Sequence, residues 1–242
     1  MSHESSTQIE NRLLASLPRN EYDRLASKLE PIRFSKNRIL YEAGDDTRQA
    51  YFINSGMVSL LAITEDGRTI EIGTVGNDGY VGVPIIHEVC KAPYRVMAQT
   101  PATAMRIDAE ALSVELDRGG AIRKILLCYA HVHETQLVQA VTCNLYHSVE
   151  QRLSRRLLVT SEYLQSDALT LTQEHLGIVL DRNRTRVSIA AGVLQAKGLI
   201  EYDRRGGITI LDRQGLESSA CDCYRIVKES IESSSHATVK KV

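Results

Sequence analysis

The sequence predicts an α+β chain: an N-terminal antiparallel β-roll, a long central helix and a C-terminal winged helix-turn-helix. Three observations carry this. Strand-sized apolar runs separated by Gly turns fill residues 38–107, no Pro or Gly interrupts Ala121–Leu145, and Leu171–Leu211 reads helix, tight turn, polar-faced helix, basic hairpin. With 242 residues, 43% of them hydrophobic, the chain has material for one large core or two small ones. The expected division is a roll over 1–120, a helix and hinge over 121–147, a winged helix-turn-helix over 148–232 and a disordered tail over 233–242.

Residues Gln8 to Glu30 carry a helical stripe of Leu13, Leu14, Leu17, Tyr22, Leu25 and Leu29, interrupted at Pro18. From about Ile32 the period shortens. Arg38–Tyr41, Ala50–Ile53, Met57–Ile63, Thr69–Val75, Arg95–Gln99 and Ala102–Ile107 are strand-sized, and Asp66-Gly67 is a strong hairpin turn. Short strands joined by Gly turns indicate an antiparallel roll rather than a parallel sheet with crossover helices. Gly73, Gly76, Gly79 and Gly82 recur every third residue, but no Gly-Lys-Ser/Thr opens a helix and no βαβ unit follows. They are expected to serve turns of the roll.

Along the central helix, Ile122, Ile125, Tyr129, Val132, Gln136 and Ala140, with Leu126, His133 and Leu137 beside them, make a seam of nearly heptad spacing. Such a stripe needs a partner. A module that reads paired half-sites works as a symmetric dimer, so the seam is assigned to a subunit contact; the alternative is packing on the chain's own roll. Leu145-Tyr146-His147-Ser148 reads as a hinge, after which Val149, Leu153, Leu157, Leu158 and Leu164 begin a new register.

The first helix of the helix-turn-helix is expected from Thr172, its cap, to Leu180, with Asp181 in the turn and Asn183 capping the second helix. That helix runs from Arg184 to Ala196, burying Val187, Ala190, Ala191 and Leu194, and Gly198 stops it. Its other face offers Arg184, Thr185, Ser188 and Ile189, which with Asn183 are the expected base-contacting residues. Leu199–Tyr202 and Ile208–Leu211 flank a basic Asp203-Arg204-Arg205-Gly206-Gly207 turn. Arg204 and Arg205, with Thr172, Arg182 and Arg186, are the expected sugar-phosphate contacts. The bland alternative is that these arginines form only a solvated face. Residues 150–213 hold ten Lys plus Arg against eight Asp plus Glu, while the whole chain carries −1. A local basic face fits that balance better than indiscriminate coating of nucleic acid.

No apolar stretch approaches 18 residues and Met1–Glu10 is polar, so neither a membrane span nor a signal peptide is expected, and the protein should be cytoplasmic. Five scattered cysteines, Cys90, Cys128, Cys143, Cys221 and Cys223, suit reduced thiols. Cys221-Asp222-Cys223 lacks a second pair and reads as packing or surface thiols, and no metal or other cofactor is expected.

Tyr51-Phe52-Ile53-Asn54-Ser55-Gly56, Val149-Glu150-Gln151-Arg152-Leu153 and Thr172-Gln173-Glu174-His175-Leu176 through Leu199-Ile200 resemble the Crp/Fnr family of bacterial transcription regulators. The resemblance spans about Asn11 to Asp212. It implies a cyclic-nucleotide-binding-like roll, a dimerising middle helix and a winged helix that binds double-stranded promoter DNA, with RNA polymerase as a further partner if the protein activates. Cyclic-nucleotide-binding members place a Glu after a Gly, then an Arg-Ser or Arg-Ala pair. Here Gly79, Tyr80, Val81 and Gly82 stand in the first place and Lys91-Ala92-Pro93-Tyr94 in the second. Gly79, Tyr80, Val81 and Gly82, with Lys91 and Arg95 as substitute cations of which neither falls at the matching place, are the candidate effector pocket. A phosphate there would lack its counter-charge, so the effector is expected to be something other than cyclic AMP, or absent. The oxygen-sensing relatives' N-terminal cysteine cluster is missing, since Cys90 is the first cysteine.

The reading is a homodimeric, sequence-specific regulator and not an enzyme, since no nucleophile with a supporting base, metal cluster or phosphate loop is present. The rival is a ligand-binding module that regulates a protein partner without touching DNA.

Overall fold

In a computed structural model the chain is described over residues 9–171, 176–177, 180, 184–203 and 207–236. Two short helices, α1 (Arg12–Ala15) and α2 (Arg19–Ala26), open it and are separated by Pro18, which caps α2. Asn11 caps α1 through its side chain, and its amide donates to the carbonyls of Ile53 at 2.7 Å and Gly79 at 2.9 Å, tying the entry to the roll.

The roll holds β1 (Glu30–Phe34), β2 (Ile39–Tyr41), β3 (Gln49–Ser55), β4 (Val58–Ile63), β5 (Thr69–Val75), β6 (Tyr80–Val81), α3 (Val83–Ile86), β7 (Arg95–Ala98) and β8 (Ala102–Asp108). Its antiparallel strands form two four-stranded sheets, ordered β1-β8-β3-β6 and β2-β7-β4-β5. One core takes Phe34, Phe52, Ile53, Leu60, Val96 and Ile107 from both. β1, β6 and the helix α4 (Ala109–Asp117) were not singled out by periodicity: β1 is mostly exposed and β6 is two residues long.

The long helix α5 (Ala121–Tyr146) ends where His147 turns extended, and α6 (Val149–Leu164) starts with a capping box in which Ser148 and Gln151 satisfy each other's backbone N–H. β9 (Ala168–Thr170), α7 (Arg184–Ala196), β10 (Ile200–Tyr202), β11 (Gly207–Ile210), α8 (Arg213–Ser219) and α9 (Asp222–His236) complete the chain. Leu153 and Leu157 of α6, Val187, Ala190 and Leu194 of α7, Ile208 of β11 and Leu216 of α8 share a second core.

Two expectations change and one gains a second part. Ile122, Ile125, Leu126, Tyr129, Val132, His133, Gln136 and Ala140 are buried within this one chain, and Leu137 is half-buried. Most of the seam is therefore the helix's contact with its own body, where both the roll and α9 pack on it. The face of α5 left open carries Leu127, His131, Glu134, Val138, Val141 and Leu145, spaced alternately four and three apart. Second, Gly76 and Gly79 bracket the Asn77-Asp78 turn as expected, the Gly79 N–H donating to the Gly76 carbonyl at 3.1 Å, and they also serve packing: a Cβ would collide with the Tyr163 ring and the Tyr129 hydroxyl respectively. They let helices α5 and α6 lie against the roll. Third, Ser233–His236 continue α9 rather than forming a disordered tail, and 237–242 lie outside the described residues.

Candidate nucleic-acid interface

Helix α7 turns Val187, Ala190, Ala191 and Leu194 inward, each almost fully buried. The opposite side holds Thr185, Ser188, Ile189 and Gly192, all exposed, and a Cβ at Gly192 would meet nothing within 4 Å. Ile189 is 58% exposed, a large apolar group on a polar face. Arg186 is exposed beside them. The helix stops at Gly198, which takes φ +72° while the Leu199 N–H reaches back to the Leu194 carbonyl at 3.1 Å.

β10 and β11 follow as an antiparallel ribbon in the register Ile200↔Ile210, Glu201↔Thr209 and Tyr202↔Ile208, with β9 on the outer side of β11. Asp203 N–H donates to the Gly207 carbonyl at 2.8 Å and draws the ribbon's end together. Thr172, Arg182, Asn183, Arg204 and Arg205 lie outside the described residues, as does the side chain of Arg184. Thr185, Ser188, Ile189 and Arg186 thus share one helix, the first three on its open side.

An open helix face beside a short β-ribbon is the geometry of a winged helix. Consistent with it, the chain matches the family described as Crp-like helix-turn-helix domain over residues 151–219, and that described as cyclic nucleotide-binding domain over residues 31–118. The chain belongs to the Crp/Fnr family. Its members are transcription regulators that bind DNA through the helix-turn-helix. The anaerobic regulatory protein of Bacillus subtilis (strain 168) is 23% identical over 203 residues, 81% of this chain and 85% of that protein. Among solved structures, FixK2 of Bradyrhizobium japonicum superposes with a TM-score of 0.68 at 14% identity, covering 80% of this chain and 98% of that one. The c-di-GMP responsive regulator CLP of Xanthomonas campestris gives 0.62 at 18% identity, covering 80% and 99%. These two likenesses concern the fold.

In this Crp/Fnr chain the nominated effector residues do not assemble around one anion. Tyr80 is buried, stacked on Phe52 with ring centres 5.7 Å apart and tilted against Tyr129 at 5.2 Å. Val81 is buried beside it, and Gly79 and Gly82 are packing positions under Tyr129 and Ala50. Lys91 pairs with Asp46 at 2.6 Å and Arg95 with Glu42 at 2.7 Å, so each cation is already matched by a carboxylate. Deeper in, His133 packs on Tyr94 at 5.3 Å, and burial pushes its pKa down to about 4. A cyclic nucleotide's phosphate does not fit this set of residues.

Two constellations were not read from the sequence, the second because Cys221-Asp222-Cys223 showed no second pair of ligands beside it. Arg156 of α6 reaches Glu71 of β5 and Gln99 of the roll, and Ser59 donates to Glu71 at 2.6 Å and Gln99 at 3.0 Å, with all four side chains buried. This polar knot ties the DNA-reading half to the roll. The second gathers Cys143, His147, Cys221 and Cys223 where α5 ends and α9 begins.

Proposed function

We propose that the protein is a homodimeric regulator in which the open stripe of α5 joins two copies and thereby sets the spacing of two α7 helices on promoter DNA. Supporting the dimer, Leu127, Val138, Val141 and Leu145 stand exposed at heptad spacing along a helix of 26 residues, roughly 39 Å long. Two half-sites one turn apart need their readers about 34 Å apart, a spacing that a rigid helix pair can hold.

The observation that carries the DNA reading is the uncovered α7 face. Asn183, Arg184, Thr185, Ser188 and Ile189 address base edges, Ile189 being suited to a thymine methyl, and Thr172, Arg182, Arg186, Arg204 and Arg205 address the sugar-phosphate backbone. The effector, where one acts, is not an anionic cyclic nucleotide. The protein works in the cytoplasm without catalysis, and it contacts RNA polymerase if it activates. Consistent with that location, no helix among the described residues is long and apolar enough to cross a membrane.

The test is fluorescence anisotropy on oligonucleotides selected by the wild-type protein, at several salt concentrations. Affinity is expected to fall steeply with salt, and Arg184→Ala to lose about 1–3 kcal/mol of discrimination while remaining dimeric. Equal preference for selected and scrambled DNA by the wild-type protein would refute the reading.

A further inference from the structure

We propose that Cys143, His147, Cys221 and Cys223 form a single-ion site for a divalent metal of the zinc class, which clamps the last helix to the end of the long one. The site stands whether or not the reading of DNA bases is right.

The geometry carries it. Cys143 and His147 lie one helical turn apart at the end of α5, and Cys221 and Cys223 flank the first residue of α9. Cys143 Sγ is 3.6 Å from Cys221 Sγ, and Cys223 Sγ is 3.5 Å from His147 Nδ1. All four donor atoms lie within 4.8 Å of one another. Tetrahedral zinc with ordinary Zn–S and Zn–N bonds sets sulfurs about 3.8 Å apart and a sulfur and a nitrogen about 3.6 Å apart. The Cys143–Cys221 and Cys223–His147 separations match edges of such a tetrahedron, and the remaining donors lie close enough for one ion to draw them in.

Chemistry and surroundings agree with the geometry. Three thiols and an imidazole are a structural zinc donor set, softer than magnesium or calcium accept. The three cysteines are free and buried, and His147 is half-buried, so an ion would be sheltered from water. Binding turns the thiols into thiolates and releases their protons to solvent. The N-terminus of α9 adds its positive end beside Cys221 and Cys223. The ligands come from either side of the hinge. Cys143 lies in the last turn of the helix that leaves the roll and His147 just past its end, while Cys221 and Cys223 follow the winged helix, so an occupied site fixes the DNA-reading half against α5.

The test uses the full-length protein, purified under reducing, oxygen-free conditions and stripped with a chelator. Co2+ is titrated in and then displaced with Zn2+. We expect one Co2+ per chain with the intense visible absorption of a tetrahedral site and a thiolate-to-cobalt charge-transfer band, both erased by Zn2+. Cys221→Ser and Cys223→Ser should weaken binding at least about tenfold, since even an outer partner's loss costs that much, and Cys128→Ser should bind like wild type. Should the Ser variants fail to fold, the wild-type titration and its melting temperature decide, the latter rising with Zn2+ and falling with chelator. Absence of the cobalt spectrum in the wild-type protein, identical binding by folded Cys221→Ser, or a disulfide among these cysteines in protein kept from oxygen would overturn the proposal.

Discussion

Replacing Glu71 with Ala would leave the Arg156 guanidinium buried at the junction of the roll and α6 without its carboxylate. In the structure Glu71 accepts from both Arg156 and Ser59, and the two charged side chains are almost wholly removed from water. Burial lowers the pKa of Arg156, and the Glu71 charge works against that shift. Losing two hydrogen bonds to a charged acceptor, at about 1.5–3 kcal/mol each, amounts to roughly 3–6 kcal/mol. The cost of uncovering one partner of a buried ion pair falls in the same range, whereas an exposed pair contributes about 0–1 kcal/mol. The assay is urea unfolding of wild type, Glu71→Ala, Arg156→Ala and the double variant, monitored by two probes to establish a single transition. The double variant should cost clearly less than the sum of the singles, with coupling of about 2–3 kcal/mol. A Glu71→Ala effect below about 1 kcal/mol, or strict additivity, would show that the knot is solvated and that α6 is not held to the roll this way.

Further expectations follow from the open stripe, a buried carboxyl and a strained turn. Val138 is 60% exposed in the single chain, and Val138→Glu should weaken self-association by about 2–3 kcal/mol from lost burial in both copies, which sedimentation reads as roughly 30- to 150-fold in Kd; an unchanged association constant would exclude this face. Asp78 is buried, and desolvation raises its carboxyl to about 6 despite Arg12 nearby and a hydrogen bond from Tyr163. Because the folded form then binds more protons than the unfolded chain, stability falls as pH rises from about 4 to about 6, by roughly 3 kcal/mol. Asp78→Asn should therefore raise the melting temperature at pH 7 and lose that advantage near pH 4; an equal gain at both would refute the assignment. Gly56 takes φ +81° and a Cβ would meet the Pro101 carbonyl at 2.3 Å, so Gly56→Ala should destabilise by about 2 kcal/mol or more in thermal melts.

Much of the fold could be read locally. The strands between Gly turns, the apolar face of α7 and the stop at Gly198 depend on neighbours within a few residues, where periodicity and backbone preference act. The partner of α5 could not be read, because the helix is apolar on two faces and spacing reveals a stripe without saying what covers it. The roll and α9 together took the wider stripe, leaving the narrower one that includes Leu127 and Val138. The glycine triplet was legible as a pattern but not as a packing device, since Tyr129 and Tyr163 arrive from distant helices. Cys143 and Cys221 are 78 residues apart, and Glu71 and Arg156 are 85 apart, so only tertiary structure pairs them. The Ser-rich end looked unstructured, yet the segment just before it includes Ile231, which packs against the first core.

The most direct test of the account is selection of DNA sites from a random library by the full-length protein, with Val138→Glu run alongside. Wild type should recover an inverted repeat whose half-sites are centred about one helical turn apart, and the variant should recover single half-sites at lower affinity. Recovery of an unpaired motif by both proteins, or of no motif by wild type, would contradict the paired presentation of α7.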